Sequence, residues 1–292
     1  MYYKNKSYRT FYYFNIALLI IVSILCIMPM LHILAVSFSG KSAAESNLVT
    51  FFPIDFNMES YARTFENPNF LNAIQTSVFR AIIGTLFGMA VTIMAAFSLS
   101  RSRVDFKART FYIWFFLFIM IFDAGLVPNY LLIEKVGLIN SFWALILPGL
   151  VNVWNMILMM NFFRALPKEL DEAAIVDGAS TFRILFSVYL PVSLPAIATI
   201  SLFTMIGHWN SWFDGMLYMR SQEQWPLATL LQTIVVVQDF SKTGITPEDL
   251  ELLSNRSVKA AQIFIAMLPI LVVYPFLQRF FVKGIVLGAV KE

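Results

Sequence analysis

The stretch RALPKELDEAAIVDGAS, residues 164–180, gathers four acids, Glu169, Asp171, Glu172 and Asp177, between two long apolar runs. Carboxylates can do acid–base work only where His, Glu, Ser or Cys groups converge on them, and neither histidine, His32 or His208, falls in this stretch. Their spacing fits a different use. Pro167 suits a first helical position, and Glu169, Asp171 and Glu172 fall in the first turn, where the helix dipole favours negative charge. Gly178 can supply a left-handed stop. These features predict one short, capped helix. Leu170, Ala173, Ala174 and Asp177 recur at i, i+3, i+4 and i+7, a narrow stripe whose alanines allow another surface to come close. A free helix of about 11 residues is marginal in water, so this one docks, either on a partner or on its own chain.

Other residues carry chemistry inside apolar runs. Arg80 is costly at membrane depth unless it faces a cavity or a partner, and Asp123 and Asp214 are the two carboxylates in range, with snorkelling as the alternative. In HWNSWFDGMLYM, residues 208–219, His208 and Trp212 share one helical face, and Asn210 and Asp214 another. Trp209, Asn210, Trp212 and Asp214 could therefore offer a polar ligand aromatic stacking and hydrogen bonds together. The same residues serve equally as interface aromatics and helix glue. Gly84 and Gly88 form a small-xxx-small pair that reads as helix packing. No second His or Cys near His208 suggests a metal site. Gly40, Lys41 and Ser42 spell the end of a phosphate-binding loop, but its first glycine is replaced by Ala35, so the triplet reads as a turn.

The elements that position these groups follow from composition. A chain of 292 residues that is 59% hydrophobic, 16% aromatic and 13% charged is an all-α integral membrane protein. The net charge of +3 comes from scattered loop residues and leaves no nucleic-acid patch. Cys26, the single cysteine, excludes a disulfide within the chain. Spanning the roughly 30 Å hydrocarbon core takes about 20 apolar residues. Six stretches suffice, near 11–38, 72–100, 110–128, 141–163, 192–217 and 258–282. The first is too long for a signal peptide and is read as retained. Of the 21 Lys and Arg, thirteen fall at the termini and in alternate loops and seven in the other three, which places both ends and residues 164–191 in the cytoplasm. The organisation is then 1–71, a cytoplasmic tail, first helix and outer loop; 72–282, a core of five helices; and 283–292, a cytoplasmic tail. The outer segment 218–257 carries Arg220, Glu223, Trp225, Pro226, Gln238 and Asp239, and Trp225 with Pro226 is its candidate external contact.

The segment EAAIVDGAS…LPVSLPAI, with Glu172, Ala173, Ala174, Asp177, Gly178, Ala179, Leu190, Pro191 and Pro195, resembles the EAA loop of ABC importer permeases. FDAGLVPNYLLIEKVGLINSFWALILPGLVNVWNMILMMNFFRALPKEL before it, and HWNSWFDGMLYM and GIVLGAVKE after it, are similar to the carbohydrate-uptake branch, the maltose and oligosaccharide permeases. The resemblance implies a type I ABC importer permease fold in a bacterial cytoplasmic membrane, with residues 164–191 as the coupling loop. Glu172, Ala173, Ala174, Asp177, Gly178 and Ala179 would engage a cytoplasmic ATPase, and Gly178→Val is expected to uncouple transport. It further implies two ATPase subunits that hold the ATP and Mg, no cofactor in this chain, a second related permease chain, an extracytoplasmic solute-binding protein facing 218–257, and a Gly-rich C-terminus directed at the ATPase. Arg80, Trp209, Asn210, Trp212 and Asp214 are the candidate substrate path, for either a neutral or an acidic oligosaccharide.

Three other readings compete. A permease for another small polar solute differs only in cargo. An ion-coupled secondary transporter needs an acid near a midplane, and the apolar runs show none. An integral-membrane enzyme lacks a convergent site.

Overall fold

The computed structural model describes residues 6–102, 106–236 and 256–289, and among them every regular element is helical. Two units emerge, Met1–Phe70 with Leu231–Leu268, and Leu71–Leu230 with Pro269–Glu292.

The first unit is led by α1 (Lys6–Ser37), a long apolar helix whose side chains stay exposed as far as Ile27, the condition expected of a lipid-facing surface. A short α2 (Lys41–Glu45) and α3 (Glu59–Glu66) follow. The Gly40-Lys41-Ser42 triplet, expected as a turn, instead starts α2, with the Ala44 N–H donating to the Gly40 carbonyl at 3.0 Å. Ala43 and Ala44 bury against Ala35, Val36 and Val49, with Ala260 closing the cluster. Small residues suit this place because they let backbones approach. Ser37 and Tyr61 share a 2.8 Å hydrogen bond. Burial pushes the Tyr61 phenol up from its ordinary pKa, and the Ser37 contact partly offsets that. Arg256, at the start of the last helix, donates to the Ala44 carbonyl at 3.1 Å and to the Asn47 side chain.

The second unit holds α4 (Pro68–Ser100), α5 (Arg109–Ile121), α6 (Leu126–Lys135), α7 (Val153–Ala165), α8 (Glu169–Val176), α9 (Thr181–Ile184), α10 (Leu190–Val192), α11 (Leu194–Asn210) and α12 (Phe213–Tyr218). Its core comes from one face each of α4, α7 and the α9–α11 run. Met89, Ala96, Phe97 and Leu99 meet Met156, Met159, Met160 and Phe163, and Ile184, Leu185, Tyr189 and Ile200 close the cluster. Gly84 and Gly88 let α11 and its neighbours approach α4. A Cβ on Gly84 would fall 2.5 Å from the His208 ring, and one on Gly88 would fall 3.4 Å from the Leu150 carbonyl. Across the same core Asn155 donates to Thr204 at 3.2 Å, tying α7 to α11 where lipid offers no competing partner.

Among the described residues three helices are long and apolar enough to cross a membrane, Ser7–Ser37, Pro68–Ser100 and Arg256–Pro275, and three bent pairs raise the total to as many as six. The expected spans 110–128, 141–163 and 192–217 each fall on one of these bent pairs. The first bends by 114° between α5 and α6, where Gly125 takes φ +87° and donates its N–H to the Asp123 carboxylate at 2.9 Å. The second bends by 50° between two short turns over Phe142–Gly149 and α7, after Pro148 and Gly149, and Asn152 caps the restart by accepting from the Asn155 N–H at 3.0 Å. The third bends by 84° at Ser193, between Pro191 and Pro195. Prolines lack the N–H that would carry a helix across such a joint, and a bundle tolerates the irregular backbone where protein covers it. α13 (Leu227–Val236) and α14 (Arg256–Ala289) are the last elements among the described residues. Residues 283–289, expected as a tail, continue α14, and the rest of that tail, 290–292, lies outside the described residues, as do Gln238 and Asp239.

Candidate functional site

The acid-rich stretch folds as the spacing predicts, two residues later than a start at Pro167. α8 begins at Glu169, with Pro167 just outside it, and the Lys168 carbonyl accepts from the Asp171 and Glu172 N–H groups at 2.9 and 3.1 Å. At the far end Gly178 sits at φ +73°. Its N–H donates to the Ile175 carbonyl at 3.0 Å, and the Ala179 N–H donates to the Ala174 carbonyl at 2.9 Å. That pair of bonds is the Schellman closure, which needs a left-handed residue at this place. A Cβ on Gly178 would meet nothing within 4 Å, so the requirement is conformational and not one of space.

The stripe expected to meet a partner divides. Ala174 and Ala179 are half-buried against the α4–α7–α11 core, and Asp171 turns the same way. Glu172, Ala173 and Asp177 stay exposed, joined by Ile175 and by Val176 at 87% exposure. Phe182, next in the chain, is exposed as well. α8 thus rests on its own chain by one face and holds an apolar, acid-edged face outward. Sequence spacing missed the inward anchor. Asp171 Oδ2 accepts from Arg101 at 2.6 Å and from the Tyr189 hydroxyl at 2.8 Å. Only the arrival of a cation 70 positions away in the chain separates Asp171 from the neighbouring acids.

Arg80 is 2% exposed and does not snorkel. Of its two candidate partners the structure selects Asp214, which both terminal nitrogens of Arg80 contact, one of them at 3.2 Å. The same guanidinium donates to the Ser211 carbonyl at 3.1 Å. Asp214 also accepts from Ser211 Oγ and from the Gly215 N–H, both at 2.9 Å. The cluster pins the break between α11 and α12 to α4.

This arrangement changes the reading of the candidate path. Arg80 and Asp214 are spent on one another, and Trp209 is 8% exposed, so none of the three presents a free recognition group. Asn210 and Trp212 remain exposed, with Trp212 packed edge-on against Phe213 at 5.5 Å. Trp225 and Pro226 are corrected too. Both are buried, the Trp225 indole N–H donates to the Met219 carbonyl at 3.2 Å, and Pro226 lies against Gly215, so they close the fold instead of facing outward. Arg220 and Glu223 are the exposed charges beside them.

Comparison with known proteins gives a consistent picture. Residues 93–287 match a family model described as "Binding-protein-dependent transport system inner membrane component". Protein LplC of Bacillus subtilis (strain 168) is 36% identical over 288 residues, covering 99% of this chain and 97% of its own length. The polygalacturonan/rhamnogalacturonan transport system permease protein YtcP of the same strain is 35% identical over 293 residues, covering 99% of each. Among solved structures, a chain of a bacterial ABC transporter involved in the import of the acidic polysaccharide alginate superposes with a TM-score of 0.86 at 29% identity, covering 95% of this chain and 98% of its own.

Proposed function

Because this chain belongs to the family of inner membrane components of binding-protein-dependent transport systems, we propose that it is one transmembrane subunit of an ATP-driven oligosaccharide importer. It is a transport component and not an enzyme. Each bent pair counts as one crossing, which gives six, with both termini and α8 in the cytoplasm, as the distribution of basic residues favours. Two ATPase subunits supply the ATP and Mg chemistry, a second permease chain completes the path, and an extracytoplasmic solute-binding protein delivers the cargo.

The observation that carries this reading is the outward face of α8. A one-sided helix, closed by a left-handed glycine and rooted by a half-buried acid, leaves Ile175 and Val176 in water unless something covers them. Glu172, Ala173 and Asp177 flank that apolar face and complete a surface for the ATPase, with Gly178 fixing its angle. Ala174 and Ala179 serve from behind, as spacers that let α8 sit close to the bundle.

For cargo we favour an acidic oligosaccharide, a uronide, because two of the similar proteins are named for acidic polysaccharides. Asn210 and Trp212 are the candidate path residues that remain available to it. The test is the reconstituted importer with its binding protein, measured for ATPase stimulation across a sugar panel. Galacturonate or alginate oligomers are expected to stimulate hydrolysis while neutral maltodextrins do not. Stimulation by maltodextrins alone would refute the acidic assignment, and stimulation by an amino acid alone would refute the sugar assignment.

A further inference from the structure

Asp171 stands out in α8 because it is the acid that does not face outward. It is 20% exposed, and its partner Arg101 is 14% exposed. Arg101 follows the last residue of α4, and Tyr189 closes the single π turn Leu185–Tyr189 that leads through α10 into α11. One carboxylate oxygen therefore holds the ends of two membrane-crossing segments at once. Aromatic rings frame the joint. The Arg101 guanidinium lies 4.2 Å from the Phe97 ring centre and 5.2 Å from that of Tyr189. The Phe97 and Tyr189 rings meet edge-on at 5.0 Å, and Phe163 meets Tyr189 at 5.3 Å.

We propose that Asp171 is the positioning residue through which movement of the short helix is passed to α4 and α11, with Arg101 and Tyr189 as its two receivers. This rests on the reading of α8 as the ATPase-facing element. The other acids of α8 cannot take the role because they point away from the bundle. Ala174 and Ala179 contribute packing alone, which yields when pushed, whereas a charge-assisted bond keeps its length and direction. The grip is also one-stranded. Asp171 Oδ1 and the Arg101 Nε and Nη2 are buried without a hydrogen-bond partner among the described residues. A spare acceptor beside spare donors lets the pair add a second hydrogen bond as the helix moves while keeping the first.

The test uses the complete importer in liposomes, comparing Asp171→Asn, Asp171→Glu and Tyr189→Phe with the unchanged protein. Two quantities are read: the ATPase subunit recovered with the permease, and the sugar moved per ATP hydrolysed. Asp171→Asn is expected to hold the ATPase normally and to lower sugar per ATP roughly tenfold, the size expected when charged hydrogen bonds are lost. Asp171→Glu restores most of that ratio, and Tyr189→Phe lowers it by a few-fold while leaving the Arg101 pair intact. An unchanged ratio in Asp171→Asn and Tyr189→Phe would overturn the proposal. So would a loss of bound ATPase matching the loss of transport, since Asp171 would then be a contact residue. Failure of the unchanged permease to recover any ATPase would instead refute the functional reading beneath it. Should Asp171→Asn fail to fold, Tyr189→Phe alone decides by the same ratio.

Discussion

Arg80→Ala is expected to destabilise the folded protein by about 3 kcal/mol, the lower end of the range for removing one partner from a buried ion pair. The lower end applies because the Asp214 side chain keeps 23% exposure. The loss has two parts. The Asp214 carboxyl is left in a low-dielectric place with only Ser211 Oγ and the Gly215 N–H to satisfy it. The Ser211 carbonyl, at the break after α11, loses the donor that Arg80 supplies. Thermal unfolding in detergent should show a clearly lower midpoint for Arg80→Ala and a smaller drop for Arg80→Lys, which keeps charge but not the fork. Replacing both residues together, Arg80→Leu with Asp214→Leu, should recover much of the stability, because the stranded carboxylate is what harms the single variant. If Arg80→Ala unfolds at the midpoint of the unchanged protein but no longer transports, the pair acts on substrate and the structural account of it is wrong.

Gly178→Val is expected to abolish coupled transport while the bundle stays folded. Valine at φ +73° bears the left-handed penalty of about 1–2 kcal/mol, and its branched Cβ makes that conformation rarer still. The chain escapes by giving up the closing bonds from Gly178 to Ile175 and from Ala179 to Ala174, which unwinds the last turn of α8. Ile175, Val176 and Asp177 then leave the outward face. Gly178→Asn is the control, since asparagine enters the left-handed region at little cost. Uptake assays should find Val inactive and Asn largely active, with similar amounts of protein in the membrane. Equal activity of the two would mean that the left-handed stop does not set the geometry of the site.

These two positions also mark how far the sequence could be read. α8 was legible because its causes are local: a proline, early acids and a late glycine act within a few residues of themselves. Its orientation was not, since Asp171 and Glu172 are alike in type and spacing, and only Arg101 and Tyr189 tell them apart. Arg80 announced itself by its cost in an apolar run, but the choice of Asp214 over Asp123 needed a fold that joins positions 134 residues apart. Gly84 and Gly88 read correctly as packing, and the atoms they meet, in His208 and Leu150, did not. The three bends left signs in Gly125, in Pro148 with Gly149, and in Pro191 with Pro195. An apolar window blurs such signs because it averages over them. Trp225 went astray for a related reason: tryptophan serves equally at a surface contact and under a fold, and only the Met219 carbonyl at 3.2 Å decides between them.

The central claim is that α8 receives ATP-driven motion on its outer face. Photo-reactive side chains placed singly at Ala173, Val176 and Ala174 in the assembled importer test it most directly. The account predicts that Ala173 and Val176 capture an ATPase subunit and that Ala174, turned toward the bundle, captures this chain itself. Capture of the ATPase from Ala174 alone, or from none of the three, would contradict it.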